Sequence, residues 1–169
     1  MKNLVIALLL VVATIGVTNA QVKNKFGHIN SQELLEVMPE KATADQQIEE
    51  FGKQLQKQLQ TMMAERETKV NDYMENEATM SEIIAQTKAE EIQMLDQRIQ
   101  AFQQNAQQSL AKKEGEAYQP ILDKARKAIE EVAKENGFTY IFDVSAGALL
   151  YQPESDDILS LVKTKLGIL

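Results

Sequence analysis

Between Gly52 and Gly115 the chain contains neither glycine nor proline. The stretch is built largely from Gln, Glu, Lys, Ala, Leu and Met, which are good helix formers. So long a run cannot be cut into the short elements of a layered domain. It predicts one very long helix or two long ones. Apolar residues recur at Ile48, Phe51, Leu55, Leu59, Met62, Val70 and Tyr73, and again at Ile92, Leu95, Ile99, Phe102 and Ala106. The second set follows alternating steps of three and four, the spacing of a coiled-coil seam. The phase changes between Met74 and Met80, Asn76 suits a turn, and Thr79 with Glu82 forms a T-x-x-E capping box. The reading is therefore two antiparallel helices joined near Glu75 to Ser81, each arm about 35 residues or roughly 50 Å long. A single uninterrupted helix is the alternative.

The two ends read as one small body divided in sequence. Phe26 to Ile29 is expected as a strand, and Asn30 with Glu33 as the capping box of a short helix through Leu34, Leu35, Val37 and Met38. Pro39 ends that helix or begins the next. Ile121, Ala125, Ala128, Ile129, Val132 and Ala133 form a helical stripe that stops at Asn136-Gly137, a left-handed cap. Pro120 is expected to kink or restart the helix where arm meets body. Phe138 to Val144 is aromatic and β-branched, as a strand should be. Ala148 to Tyr151 is expected to pair with it as a hairpin. Ser155 is expected to cap a last helix, with Asp156 and Asp157 against its positive end and Ile158, Leu161, Val162 and Leu166 facing inward. The domain division that follows is 1–20 as a signal peptide, 43–115 as the arm, and 21–42 with 116–169 as the body.

The signal-peptide assignment rests on Lys2, the apolar run from Leu4 to Ala13, and small residues up to Ala20. Cleavage is expected after Ala20, and the apolar stretch is short for a spanning helix. Composition excludes several functions. The absence of Cys removes disulfides and thiol chemistry. A single His, His28, cannot build a multi-histidine metal site. A net charge of −7 argues against nucleic-acid binding. None of the seven glycines lies near enough to another to cradle a phosphate, so no nucleotide or other cofactor is expected. His28 beside Ser31 is the only nucleophile–base proximity, and both are better read as structural residues. The chain is not expected to be an enzyme.

A two-helix arm has one seam and no three-dimensional core, and the body is marginal in size without disulfides or metal. Phe26, Phe138, Tyr140, Phe142 and Tyr151 all fall on expected strands, and those strands need covered edges. The simplest cover is another copy, so a homo-oligomer is expected, with Phe26, Ile29, Phe138, Tyr140, Phe142 and Tyr151 as its body residues.

This order of elements resembles the periplasmic Skp (OmpH-like) chaperone family. The similarity is carried by Phe26-Gly27-His28-Ile29-Asn30-Ser31, by Ala128-Ile129-Glu130-Glu131-Val132-Ala133 through Gly137 to Asp143, and by Ala148 to Tyr151 and Asp156-Asp157-Ile158. The run from Ile121 to Leu166 is the most specific part. The resemblance implies a mainly α protein with a small β body. It implies a trimer of jellyfish-like form, whose helical tentacles enclose a cavity. It also implies a periplasmic, ATP-independent holdase that binds unfolded outer-membrane proteins. The rival reading is a structural coiled-coil adaptor of the envelope that binds one folded partner.

Flexible, polarizable methionine suits contact with varied clients. Met62 and Met94 are expected in the seam. Met63, Met74, Met80, Ile83 and Ile84 do not fit one seam and are the client-contact candidates, while Tyr73 could serve either role. The glutamine faces (Gln54, Gln56, Gln58, Gln60; Gln103, Gln104, Gln107, Gln108) are mainly solvated surface that could also bond a client backbone. Gly52 and Gly115 each interrupt an arm, as hinges or as points of close helix packing. With the tip at Asn76 to Met80, Gly115 should lie about ten residues farther from it, roughly 15 Å along the axis. One departure from the family is charge. Its best-known members are strongly basic, whereas Glu40 to Glu114 holds 9 basic and 14 acidic residues here. Lipopolysaccharide or membrane contact is therefore not carried over, and apolar and hydrogen-bonding contacts should dominate client binding. Lys53, Lys57, Lys112 and Lys113 remain local basic spots.

Overall fold

A computed structural model describes residues 24–168. The expected signal peptide, residues 1–20, lies outside the described residues. The elements are β1 (Phe26–Ile29), α1 (Ser31–Val37), α2 (Pro39–Asn76), a 3₁₀ turn (Glu77–Thr79), α3 (Glu82–Glu135), β2 (Tyr140–Asp143), a second 3₁₀ turn (Glu154–Asp156) and α4 (Leu159–Leu166).

The arm is the hairpin α2–α3. Pro39 opens α2, where its missing amide is no loss. With 38 residues, α2 extends about 57 Å. The turn falls within the expected segment, but a different residue caps the helix that follows. Ser81, not Thr79, is the N-cap of α3; its hydroxyl accepts from Ile84 N at 3.4 Å. Thr79 lies inside the 3₁₀ turn and donates to Asn76 O at 2.9 Å. Ser81 takes the cap because its extended backbone directly precedes the first helical residue. α3 passes through Pro120 without restarting. Pro120 and Glu116 are both exposed, so water can replace the lost amide partner.

α3 ends as expected. Gly137 has φ +68°, and Phe138 N donates back to Ala133 O at 2.9 Å, which closes a Schellman motif. The chain then enters β2, which pairs parallel with β1 in the register Phe26–Tyr140, Gly27–Ile141, His28–Phe142 and Ile29–Asp143. Parallel strands need a long crossover, and here the entire arm is that crossover. The close fit is made at Gly27: a Cβ there would lie 2.9 Å from Ile141 Cδ1 and Phe138 Cε1.

The C-terminal part corrects three expectations. Ala148 to Tyr151 forms no strand and no hairpin with β2. A strand exists only where an edge receives it, and within the described residues this segment has no backbone partner. The last helix begins at Leu159 rather than after Ser155, and Asp157 Oδ1 accepts from Leu159 N at 2.8 Å. Leu161 points outward, while Ile158 and Val162 are fully buried. A bridge between His28 and Asp157 fastens this segment beside β1.

One core joins both chain ends to the arm root. Ile29, Leu34, Met38, Ala44, Ile121, Ala125, Ala128, Val132, Ile158 and Val162 form it, with Tyr118, Phe138 and Ile141 packed against it. Ala44 and Tyr118 show that the last turns of the arm belong to the body's core. A smaller cluster of Met62, Leu95 and Ile99, flanked by Leu59 and Phe102, lies midway along the arm.

Candidate functional site

The arm's seam divides into three zones. Nearest the body, Tyr118 donates to Asp45 Oδ1 at 2.6 Å, Lys41 bonds Asp45 Oδ2 at 2.7 Å, and Lys124 pairs with Glu40. The Lys41 ammonium, then the Tyr118 hydroxyl, holds the Asp45 carboxyl below its ordinary value. In the middle, the Met62 cluster is buried. Beyond it, interhelical ion pairs take over: Arg66 with Asp96, Lys69 with Glu91 at 2.7 Å, and Lys88 with Asp72. The Lys69 and Lys88 ammonium groups lower the Glu91 and Asp72 pKa values by hydrogen bonding and charge. The pattern of apolar residues could not show this ladder. The signal for it was charge complementarity between Arg66 and Lys69 on one arm and Asp96 and Glu91 on the other.

Apolar residues of the seam, joined by Met63 from outside it, also line open grooves along the arm. One open groove of about 640 Å³ is walled by Met63, Val70 and Ile99, with Arg66 and Asp96 at its edge. A second, of about 470 Å³, combines Leu55, Leu59, Phe102 and Ala106 with Gln56, Gln103 and Gln107. Each therefore offers apolar contact beside hydrogen-bonding groups. At the tip, Met74 is 69 % exposed and Ile83 78 %, and Ile84 is also exposed. Met80 is half-buried. Tyr73 is half-buried, and its hydroxyl donates to Glu77 Oε1 at 3.1 Å. Met62 is in the seam as expected, but Met94 is not; it is exposed, on the outer face of α3.

The glycines sit differently from expectation. The pairings Asp45–Tyr118 and Lys69–Glu91 place Gly52 opposite the Leu110 region and Gly115 opposite Gln47 or Ile48. Their offset is therefore about one helical turn, roughly 6 Å, not 15 Å. Close packing is excluded as the reason for them, because a Cβ at either position would meet nothing within 4 Å.

On the body, Phe26 stacks on Tyr140 with ring centroids 5.8 Å apart and tilts against Phe142 at 6.2 Å. All three rings are exposed on one face of the two-stranded sheet. Tyr151 and Leu150 are almost fully exposed on the unpaired segment. Ile29 and Phe138 differ: they pack into the protomer's own core, with Lys25 Nζ 4.0 Å over the Phe138 ring. His28 and Ser31 are not paired. His28 Nε2 bonds Pro153 O at 3.0 Å, whereas Ser31 Oγ donates to Asp143. Among the described residues no group of three or more His, Cys, Asp or Glu side chains could hold a metal. No described helix is long and apolar enough to cross a membrane.

The family model described as Outer membrane protein (OmpH-like) matches residues 25–166. The Chaperone protein Skp of Vibrio cholerae is 23% identical over 150 residues, spanning 86% of this chain and 89% of that protein. A candidate OmpH-like outer membrane chaperone of Caulobacter crescentus, known from its crystal structure, shares the fold with a TM-score of 0.73. It is 14% identical, and the match covers 85% of this chain and 83% of the other. The family match reaches from the residue before β1 to the last residue of α4, so it takes in body and arm together, and the chain belongs to the OmpH-like outer membrane protein family.

Proposed function

We propose that the protein is an ATP-independent holdase of the periplasm, which binds unfolded outer-membrane proteins and prevents their aggregation. The observation that carries this reading is the set of exposed apolar side chains on an arm with no core to receive them: Met63, Met74, Ile83 and Ile84. Exposed apolar side chains mark an interaction site where they gather, and Met74, Ile83 and Ile84 stand together at the arm tip. Met80 and Tyr73 join them as half-exposed contacts. The kinship with a chaperone along nearly the whole chain supports the same reading.

The holding surface requires assembly. The exposed Phe26, Tyr140, Phe142 and Tyr151 supply a face for other copies, and a closed ring of copies, a trimer in this reading, would set several arms around one cavity. Unfolded barrel proteins have short alternating apolar stretches, each a weak site, so many shallow contacts from surrounding arms suit them. Gly52 and Gly115 let the arms bend to fit clients of different size. The test is suppression of light scattering by several unrelated barrel proteins diluted from denaturant, with the mass of each complex measured. Suppression across unrelated clients at a fixed stoichiometry is expected. Binding to a single folded partner with no suppression would mark an adaptor instead.

A further inference from the structure

The two halves of the arm differ in charge. From Tyr73 to Thr87 the chain carries Glu75, Glu77 and Glu82 and no Lys or Arg. All three carboxylates are exposed, and none has a cation within 4 Å among the described residues. The nearest lysines are committed elsewhere, Lys69 to Glu91 and Lys88 to Asp72. The tip therefore keeps uncompensated negative charge beside its exposed Met74, Ile83 and Ile84. It lies about 55 Å from the body along α2, beyond reach of the body's core.

We infer that the arm tip captures apolar client segments flanked by Lys or Arg, with Met74, Ile83 and Ile84 taking the apolar side chains and Glu75, Glu77 and Glu82 selecting the cationic flank. The inference rests on the holding role proposed above and adds a client class to it. Apolar contact alone is indifferent to neighbouring charge. An extended segment advances about 3.3 Å per residue. A Lys or Arg two or three residues from the bound side chain thus stays within a Debye length of the three carboxylates, about 10 Å at 0.1 M salt. The same charge repels anionic headgroups, so a polypeptide is the occupant that the tip fits and an anionic membrane is not.

The test uses the assembled protein and two labelled peptides with one apolar centre, flanked by Lys in one and by Glu in the other. Fluorescence anisotropy at low ionic strength is expected to show about fivefold tighter binding of the Lys-flanked peptide, the scale of three exposed charge pairs. The triple variant Glu75→Gln, Glu77→Gln, Glu82→Gln should erase that preference. The double variant Ile83→Ser, Ile84→Ser should weaken both peptides. These positions are exposed, so the fold does not depend on them. Equal affinity for the two peptides, a preference that survives the triple variant, or binding to anionic vesicles that is lost in the double variant would each overturn the inference. Suppression of barrel-protein aggregation, measured on the same preparations, reports separately on the holding role. Retained suppression without charge preference defeats the selectivity alone.

Discussion

Ser31 Oγ donates to Asp143 Oδ2 at 2.5 Å, joining the first residue of α1 to the last residue of β2 across the whole arm. Asp143 Oδ1 also accepts from Ser31 N at 3.2 Å and Ser145 N at 3.0 Å. Partial burial pushes the Asp143 pKa up, but the bonds from Ser31 and Ser145 outweigh it, and the net shift is downward. A carboxyl with a lowered folded pKa stabilises the fold above its unfolded value, near pH 4, and that contribution is lost as pH falls through the folded value. Asp143→Asn should therefore cost about 1 kcal/mol at neutral pH. Its urea unfolding should also depend less on pH between about 5 and 3 than the parent's. An unchanged acid slope in the variant would contradict the role given to this bond.

Leu95 is buried in the middle of the arm, where it closes the cluster with Met62 and Ile99. Leu95→Ala should destabilise the arm by about 2–5 kcal/mol, the usual range for a buried leucine. That cluster is separate from the body's core, so the loss should be local. Hydrogen exchange should rise from Leu55 to Val70 and from Ile92 to Ala106 while amides of β1 and β2 keep their protection. Uniform loss of protection would show that arm and body unfold as one unit.

The arm was legible because its signal is periodic and local. Apart from Met94, every seam residue anticipated from Ile48 to Tyr73 and from Ile92 to Ala106 is buried or half-buried. Asn30 opens α1, and Gly137 and Gly167 close α3 and α4, as their chemistry suggests. What escaped was set by competition or by partners. Thr79 and Ser81 are both good caps, and backbone geometry two residues further on decided between them. Met94 fits the seam by residue type but is rotated off it, because Leu95 occupies the inward position beside it. Ala148 to Tyr151 has the composition of a strand, yet strand formation depends on an edge elsewhere in the chain, which a local pattern cannot reveal. The binding candidates were legible as exceptions to the seam. Their shared acidic setting at the tip emerged only once Lys69 and Lys88 were seen to be engaged.

Gly52 and Gly115 lie inside helices with open space where a Cβ would stand. Replacing both with Ala should raise stability, each by roughly 0.5–1 kcal/mol, because helix formation then costs less backbone entropy and no clash opposes it. Thermal melting checks the gain. If the glycines are hinges, the same variant should hold small barrel proteins normally and lose capacity for large ones. Full capacity with raised stability would remove the hinge role.

Phe26, Tyr140 and Phe142 form a continuous aromatic surface on the exposed sheet face, and each stands more than two-fifths open to solvent in the protomer. Buried against another copy, rings of this size would contribute strongly to assembly, and a charge placed among them would be desolvated without a partner. Tyr140→Glu with Phe142→Glu should therefore reduce the assembled mass to that of a protomer at micromolar concentration, as read by multi-angle light scattering. Neither side chain belongs to the protomer's core, so helical circular dichroism should stay near that of the parent. Aggregation suppression should fall with the mass, because one arm alone encloses nothing. An unchanged mass in the double variant would move the assembly surface elsewhere, with the exposed Leu150 and Tyr151 as the next residues to substitute.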